Sequence, residues 1–458
     1  MSYEGIARNP VIVVHGFLGA KLEHVKTGKS VWGSFSGIEA IESLSDEGIL
    51  DFCHPMARGK ALKDLTSDIV PEGLLERVKF QVLGLPFHLD VYDKLIDILR
   101  NAGYVEEGKH LPKGKHFCSL FAFYYDWRRD IPENAARLHD FILLKKAYLR
   151  EAYEKLYGVK DFDVQFDVLA HSMGGLLSRY YLRYGAAELP EDGSLPKLDW
   201  EGSKHIDKML VVGTPNAGYL DACMELVDGL QAAKGSHVHH PALVGTFPAY
   251  YQMMPLVNFR PVVYADDPEG LPVDIFDPKV WIDMKWGLAD PGQDNVLKAM
   301  LPGVSTKAER REIALDHLEK CLKRARQFTE AMRVKAEHPN DVAMFLFLGD
   351  AVKTARTAAA DRETGKLKVI KYESGDGKVL ASSARFDERE SGEWVPFLVS
   401  PIRWDSVTNL KAAHMGITAS DDFASNATYA LLAFPTKKQE KTMRFYEGLV
   451  GAAKSSEK

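Results

Sequence analysis

The sequence predicts an α/β fold with a mostly parallel central sheet, and two patterns support this prediction. Short runs of β-branched residues, beginning with Val11–Val14, are typical of strands that are buried on both faces of a sheet. Segments with apolar residues at helical spacing lie between these runs, for example residues 89–103 and 133–157. Strands that alternate with helices in this way favour a doubly wound sheet flanked by helices.

The elements are predicted in a definite order along the chain. Strands are expected at residues 11–14, 119–125, 164–170, 209–213 and 342–348, and residues 367–372 are the candidate for a sixth strand. Helices are expected at residues 89–103, 133–157 and 174–185, and a charged helix at 306–337. Two long segments, 26–80 and 219–340, do not follow the alternation. Because long connections within a compact domain usually have structure of their own, both segments are interpreted as insertions.

Composition and charge exclude several classes of protein. The chain has 458 residues, of which 46% are hydrophobic and 27% are charged, and its formal net charge is −6. This balance gives no basic footprint, so no nucleic-acid partner is expected. The four cysteines lie far apart without a CxxC pair, which predicts neither a structural zinc site nor a disulfide framework; they are Cys53, Cys118, Cys223 and Cys321. The sequence contains no run of 18 apolar residues and no signal-peptide pattern, which predicts a soluble, cytoplasmic protein.

A strand–turn–helix transition at residues 168–177 (VLAHSMGGLL) contains the predicted nucleophile, Ser172. An apolar strand runs into the serine, and an amphipathic helix follows it. This is the context of the nucleophile elbow of the α/β-hydrolase fold, where the serine lies on a strained turn beyond the carboxyl end of the sheet. Ala170 replaces the glycine that usually stands two positions before the serine. The alternative is a serine that only caps the helix, and the strand before it favours the elbow.

The elbow serine requires a general base and an acid that orients this base. In this fold the partners follow the nucleophile in the order acid, then histidine. His414 is the only histidine after His338, which lies in a polar turn, so His414 is the predicted base. Asp376 follows a predicted strand between two glycines and is the predicted acid. Asp350, at the end of another predicted strand, is the rival acid.

Two backbone N–H groups are predicted to stabilise the oxyanion of the tetrahedral intermediate. Residues 15–19 (HGFLG) form a glycine-rich turn directly after the first strand, where one such donor usually lies. The other donor usually belongs to the residue after the nucleophile. The predicted oxyanion hole therefore consists of the N–H groups of Phe17 and Met173.

With these residues in place, the chain resembles the lecithin:cholesterol acyltransferase-like family of α/β-hydrolases. The similar segments occur in the family's order over nearly the whole chain, at residues 10–23, 101–105, 125–128 (YDWR), 170–174, 212–218, 247–255 and 375–379 (GDGKV). The resemblance implies an acyl-enzyme route, with water or an alcohol as the second acceptor. His15 stands where the family often has proline, and residues 26–80 lack the cysteine pair of its secreted members. A bacterial-type lipase or a small-ester carboxylesterase without transferase activity is the alternative.

The expected architecture is a single α/β-hydrolase domain over residues 1–458. The insertion at 26–80 is expected near the mouth of the active site, and the insertion at 219–340 is expected to cover it as a cap or lid. Four side chains of this cap form an amphipathic patch that either lines an acyl pocket or packs the cap onto the core; they are Tyr250, Tyr251, Met253 and Met254. For residues 126–129, which overlap the YDWR segment, an ion pair and a packed indole that brace the sheet edge are favoured over contact with substrate.

The expected partners follow from this chemistry. They are an ester or lipid substrate and, for transfer, an alcohol as acyl acceptor, with transient contact at a lipid interface. No cofactor is expected. The histidines of the segment SHVHHP (His237, His239 and His240) have no acidic or cysteine partner at a diagnostic spacing, so no metal site is predicted. Neither the substrate-binding residues nor the oligomeric state is assigned.

Overall fold

Six parallel strands form the central sheet of the protein. The computed structural model describes residues 6, 8–33, 46–75, 77–82, 85–90, 92–231, 238–387 and 400–456. Across the sheet the strands stand in the order Ser406–Leu410, Ala343–Gly349, Ile206–Val212, Phe166–His171, Val11–Val14 and Leu120–Phe123. Every residue of the four inner strands is buried. This explains why these strands are mostly apolar along their whole length.

Five of the predicted strands lie in this sheet, within a few residues of their predicted bounds. The candidate for the sixth strand is wrong for the central sheet. Its residues belong to the strand Leu367–Gly375, which pairs antiparallel with Val352–Ala360 in a separate sheet that also contains Val262–Tyr264. The sixth central strand is Ser406–Leu410, an edge strand with mostly exposed side chains. Its sequence, SVTNL, lacks the apolar run by which the buried strands are recognised.

Helices cover both faces of the central sheet. Ile12 and Val14 belong to a hydrophobic cluster with the helices Ile131–Tyr157 and Met173–Tyr184. Val11 and Val13 belong to a second cluster on the other face, with the helices Asp93–Asn101 and Asp421–Leu432. The predicted helix at 89–103 is shorter than expected, because residues 85–90 form a strand. The other helices are Asp46–Phe52, Leu220–Asp228, Pro241–Val244, Pro248–Tyr251, Pro278–Met284, Asp294–Met300, Lys307–Arg333, Ala381–Arg385 and Lys437–Ser456.

The two segments interpreted as insertions contain regular structure where they are described. The first contributes Ser30–Trp32 and Ile69–Leu74 to an antiparallel sheet with Ala20–His24, and the hairpin Arg77–Val82 with Leu85–Asp90 follows. The second is mostly helical and contains the predicted charged helix, Lys307–Arg333. Arg324 of this helix forms an ion pair with the buried Asp130, at 2.8 Å. The assignment of both segments as insertions in one domain remains a prediction.

The YDWR segment ties the first of these segments to the sheet. The guanidinium of Arg128 forms a buried ion pair with Asp126 at 2.8 Å. It also donates to the carbonyl oxygens of Asp51, Phe52 and Cys53, at the end of the helix Asp46–Phe52. These contacts match the bracing role that was favoured for this segment.

Candidate active site

Ser172 lies on a strained turn between a central strand and a helix. Its backbone has φ 53° and ψ −125°, between Phe166–His171 and Met173–Tyr184. A non-glycine residue rarely adopts a positive φ, and such strain persists only where its surroundings hold it. Here the Ser172 N–H donates to the carbonyl of Val212 at 2.8 Å, and Thr214 Oγ1 donates to the Ser172 carbonyl at 2.9 Å. The neighbouring strand therefore fixes the turn, and the serine side chain stays half-buried.

Three side chains from distant parts of the chain meet beyond the carboxyl end of the sheet. His414 Nε2 lies 3.0 Å from Ser172 Oγ, and His414 Nδ1 lies 2.7 Å from Asp376 Oδ2. The other carboxylate oxygen of Asp376 accepts the N–H groups of Lys378 and Val379, at 2.9 and 2.7 Å. Burial alone would raise the pKa of Asp376, but His414 and these two N–H donors bring it below its ordinary value. The carboxylate therefore stays ionised at neutral pH.

This geometry selects one tautomer of His414. An ionised Asp376 can only accept at its contact with Nδ1, so Nδ1 carries the proton. Nε2 is then free to accept the proton of the Ser172 hydroxyl. Asp350 is half-buried at the end of Ala343–Gly349, and no hydrogen bond joins its side chain to His414.

The turn at residues 15–19 touches the elbow. A Cβ atom on Gly16 would lie only 2.7 Å from Ser172 Cβ, so glycine is required there. The Gly16 carbonyl is held by His15 Nδ1 at 2.7 Å and by the Gly19 N–H at 3.1 Å. Because the peptide is planar and trans, the Phe17 N–H points away from that carbonyl. Within the described chain no acceptor is found for the Phe17 N–H, nor for that of Met173, the first residue of its helix.

His15 locks this turn in place through both ring nitrogens. Its ring stacks on Tyr125, with ring centroids 4.1 Å apart, and its Nε2 accepts the Tyr125 N–H at 3.2 Å. The Nδ1 proton therefore goes to the Gly16 carbonyl. Burial lowers the pKa of His15 to about 4 despite the bond to Gly16, which keeps the ring neutral.

An aromatic and charged wall adjoins the turn. The Phe17 ring stacks on Tyr250, with ring centroids 4.5 Å apart, and the Tyr250 hydroxyl donates to Glu225. Lys378 Nζ forms ion pairs with Glu225 at 2.8 Å and with Asp221 at 2.9 Å. Burial raises the pKa of Glu225 to about 7, against the opposing effect of Lys378. The wall therefore connects Lys378, two residues after the predicted acid, to the residue that carries one predicted oxyanion donor.

The structure brings the side chains of Ser172, His414 and Asp376 into contact. Met173 is next to the serine in the chain, and Phe17 is next to Gly16, which touches the serine. Sequence reasoning missed the supporting roles of Tyr92, Tyr125 and Thr214. Tyr125 and Thr214 lie in the similar segments 125–128 and 212–218, whereas no motif contains Tyr92. The four side chains of the amphipathic patch at 250–254 are buried, which accords with packing.

Neither a metal cluster nor a membrane span is found in the part of the chain that the structure covers. No group of three or more His, Cys, Asp or Glu side chains among those residues is arranged to hold a metal ion. His237 lies outside the described residues, whereas His239 and His240 lie within them. No helix of the described ranges is both long and apolar enough to cross a membrane.

Comparisons with known proteins give a family match over part of the chain and a solved structure with a similar fold. Residues 85–286 match the family model described as lecithin:cholesterol acyltransferase. A search of curated protein sequences gives no significant match. The structure of the Tle4–Tli4 complex contains a similar chain, with a TM-score of 0.58 and 12% identity over 92% of this chain and 98% of that one.

Two further solved structures align over similar lengths. The gene product lin2722 from Listeria innocua has 12% identity and a TM-score of 0.31, over 94% of this chain and 96% of that one. Lipase 1 from Pelosinus fermentans has 11% identity and a TM-score of 0.36, over 93% and 99%. The family match supports a lipid ester hydrolase or acyltransferase in the general sense. Residues 85–286 are therefore similar to the lecithin:cholesterol acyltransferase family, and the fold of the chain is that of the α/β-hydrolases.

Proposed function

We propose that the protein is a serine acyl hydrolase or O-acyltransferase that acts on lipid esters through a covalent acyl-enzyme. Ser172 is the nucleophile, His414 the general base, and Asp376 the acid that orients it. The observation that best supports this proposal is the continuous hydrogen-bond chain from Ser172 Oγ through both nitrogens of His414 to Asp376, with distances of 3.0 and 2.7 Å. Nucleophile, base and orienting group in such contact are the signature of covalent acyl transfer.

The first half of the reaction forms the acyl-enzyme. Ser172 Oγ attacks the carbonyl carbon of the ester while His414 Nε2 takes the hydroxyl proton. The negative charge that develops on the carbonyl oxygen is stabilised by the N–H groups of Phe17 and Met173. The bond to the leaving alcohol then breaks, and His414 returns the proton to that alcohol.

The second half regenerates the serine. Water or an alcohol loses its proton to His414 and attacks the acyl carbon, and Ser172 leaves with that proton. Water gives a free carboxylic acid, and an alcohol gives a new ester. Asp376 stays ionised throughout and stabilises the positive charge on His414 at both transition states.

The surroundings of the oxyanion turn favour an apolar acyl group. Trp127 and Tyr250 are buried against the Phe17 ring, with centroid distances of 5.0 and 4.5 Å. Phe17 itself is only half-buried, so an acyl chain on Ser172 would leave water for the exposed part of this residue, at a gain of about 0.8 kcal/mol per methylene. This corresponds to a rise of up to about fourfold in kcat/KM per methylene, until the available surface is filled.

A panel of p-nitrophenyl esters from acetate to palmitate tests the proposal. We expect kcat/KM to rise to an optimum at medium or long chains, and a long-chain alcohol added to the assay to divert product from acid to ester if transfer occurs. Ser172→Ala should lose roughly 10⁴-fold or more in kcat. Ser178→Ala is the matched control, because Ser178 is buried in the same helix and its hydroxyl has no partner within the described chain. More than about a tenth of wild-type activity in Ser172→Ala, or a decline in rate from acetate onward, would contradict the proposal.

A further inference from the structure

Tyr92 connects the oxyanion turn to the nucleophile elbow. Its side chain is buried, and it precedes the helix Asp93–Asn101. The Tyr92 hydroxyl accepts the Gly16 N–H at 2.7 Å and lies 2.9 Å from His171 Nδ1. We propose that Tyr92 is a positioning residue that holds the oxyanion turn against Ser172. This inference rests on the proposed acyl transfer.

The direction of these hydrogen bonds follows from the donors present. The Gly16 N–H can only donate, so the Tyr92 oxygen is its acceptor. Among the described residues His171 Nδ1 is the acceptor available for the Tyr92 hydroxyl proton, and it can accept only when it is unprotonated. Burial, and next the charge of His414, lowers the pKa of His171 to about 3, in agreement with a neutral ring. The ring centroids of His171 and His414 are 5.2 Å apart, so a neutral His171 avoids repulsion when His414 takes the serine proton.

The need for such a contact follows from Gly16 itself. Glycine is required at this position by the contact with Ser172, but glycine leaves the backbone free to rotate. His15 and Gly19 fix the peptide unit that contains the Gly16 carbonyl and the Phe17 N–H. The peptide unit before it contains the His15 carbonyl, which accepts the Tyr125 hydroxyl at 2.8 Å, and the Gly16 N–H, which Tyr92 holds. Both peptide units beside Gly16 are therefore anchored, and the Phe17 N–H keeps its direction.

Tyr92→Phe removes the hydroxyl and keeps the ring. We expect kcat for a medium-chain ester to fall about 10- to 100-fold while KM changes less than about twofold. A misdirected oxyanion donor should lower kcat somewhat less than a missing one, whose removal lowers kcat about 10²- to 10³-fold. Because the donor acts on the oxyanion, affinity for an alkylboronic acid that forms a tetrahedral adduct with Ser172 should fall by a similar factor.

Tyr104→Phe is the matched control. Tyr104 is buried in the same hydrophobic cluster as Tyr92, but it lies against Arg8 rather than against the elbow. Its loss of a hydroxyl should change the melting temperature without changing kcat or boronic-acid affinity. If Tyr92→Phe acted only by destabilising the fold, it would likewise change the melting temperature and leave kcat per folded molecule unchanged.

Two substitutions of His171 keep the test decisive if Tyr92→Phe does not fold. His171→Asn retains an acceptor near the position of Nδ1, and His171→Leu removes it. His171→Leu should show the loss of kcat expected of Tyr92→Phe, and His171→Asn should keep most of the wild-type kcat. The double variant Tyr92→Phe/His171→Leu should lose no more kcat than the worse single variant, because one contact is removed in each case.

Two results would overturn the inference, and they differ from failure of the proposed function. The first is a Tyr92→Phe enzyme with wild-type kcat and boronic-acid affinity. The second, if that variant is unfolded, is equal kcat in His171→Asn and His171→Leu. A wild-type protein that cleaves no ester in the panel, or a fully active Ser172→Ala, would instead refute the proposed function and the inference with it.

Discussion

Asp376→Asn tests the proposed orienting role of the carboxylate. The substitution keeps the shape of the side chain and changes one acceptor oxygen into an NH₂ group. Asp376 is buried, and both of its oxygens have fixed partners, so the new amide has little freedom to turn.

The structure determines which way the amide would face. Oδ1 accepts two backbone N–H groups, those of Lys378 and Val379, at 2.9 and 2.7 Å. Only the carbonyl oxygen of asparagine can keep these bonds, so its NH₂ group must face His414 Nδ1. Nδ1 is then forced to accept, and the ring proton moves to Nε2. In this tautomer His414 cannot take the proton of Ser172.

The expected loss is large because the base is disabled and the site is otherwise intact. A forced tautomer change of this kind costs about 10⁴-fold in kcat, which corresponds to about 5.4 kcal/mol of activation free energy. We expect KM to stay within a few-fold of wild type, because no surface is removed from the site. Initial rates with a medium-chain p-nitrophenyl ester at pH 7–8 measure both constants.

Asp350→Asn is the matched control, since Asp350 also follows a central strand and was the rival acid in the sequence. It should leave kcat within a few-fold of wild type, with at most a change in melting temperature. Retention of more than about a tenth of kcat in Asp376→Asn, together with a collapse in Asp350→Asn, would transfer the role to Asp350.

Two further predictions concern packing and buried charge. Gly16→Ala should lower kcat at least tenfold, because the new Cβ would lie 2.7 Å from Ser172 Cβ. Gly303→Ala is the control and should leave kcat unchanged, because the space around Gly303 is open. Equal kcat in the two variants would show that the turn does not restrain the serine. Burial lowers the pKa of His317 to about 4, so the unfolded chain takes up a proton between pH 6.5 and 4 that the folded chain does not. The unfolding free energy of the wild type, relative to that of His317→Gln, should therefore fall by about 3 kcal/mol as the pH drops through this window. Denaturant titrations measure both free energies, and a difference that stays constant with pH would exclude this effect.

The sequence allowed the central strands and the elbow to be predicted because burial leaves a simple pattern. Val11–Val14 and Ala343–Gly349 are buried along their whole length and are therefore apolar throughout. Ser172 was identified because a strand, a serine and a helix follow one another without a gap. The predicted base required only its order in the chain and the scarcity of histidines after residue 338. The predicted acid also required the strand before it and the two glycines beside it.

Other features gave no pattern in the sequence. Among the described strands, Ser406–Leu410 pairs with only one neighbour, and it exposes polar side chains, so no apolar run marks it. Leu367–Gly375 does have strand character, but only the path of the chain decides which sheet it joins. Tyr92 is similar to any other aromatic residue before a helix, and its role depends on the position of Gly16, 76 residues earlier.

The proposed site is completed late in the chain. Ser172 and His414 are 242 residues apart, and His414 follows the edge strand Ser406–Leu410, which pairs with Ala343–Gly349. A ribosome-bound chain that has emerged as far as residue 400 holds a nucleophile without its base. Under the proposed mechanism such a chain cannot cleave an ester, although most of its parallel strands are already present. Onset of esterase activity during synthesis or refolding would therefore report the docking of the last strand, and would lag behind the appearance of secondary structure.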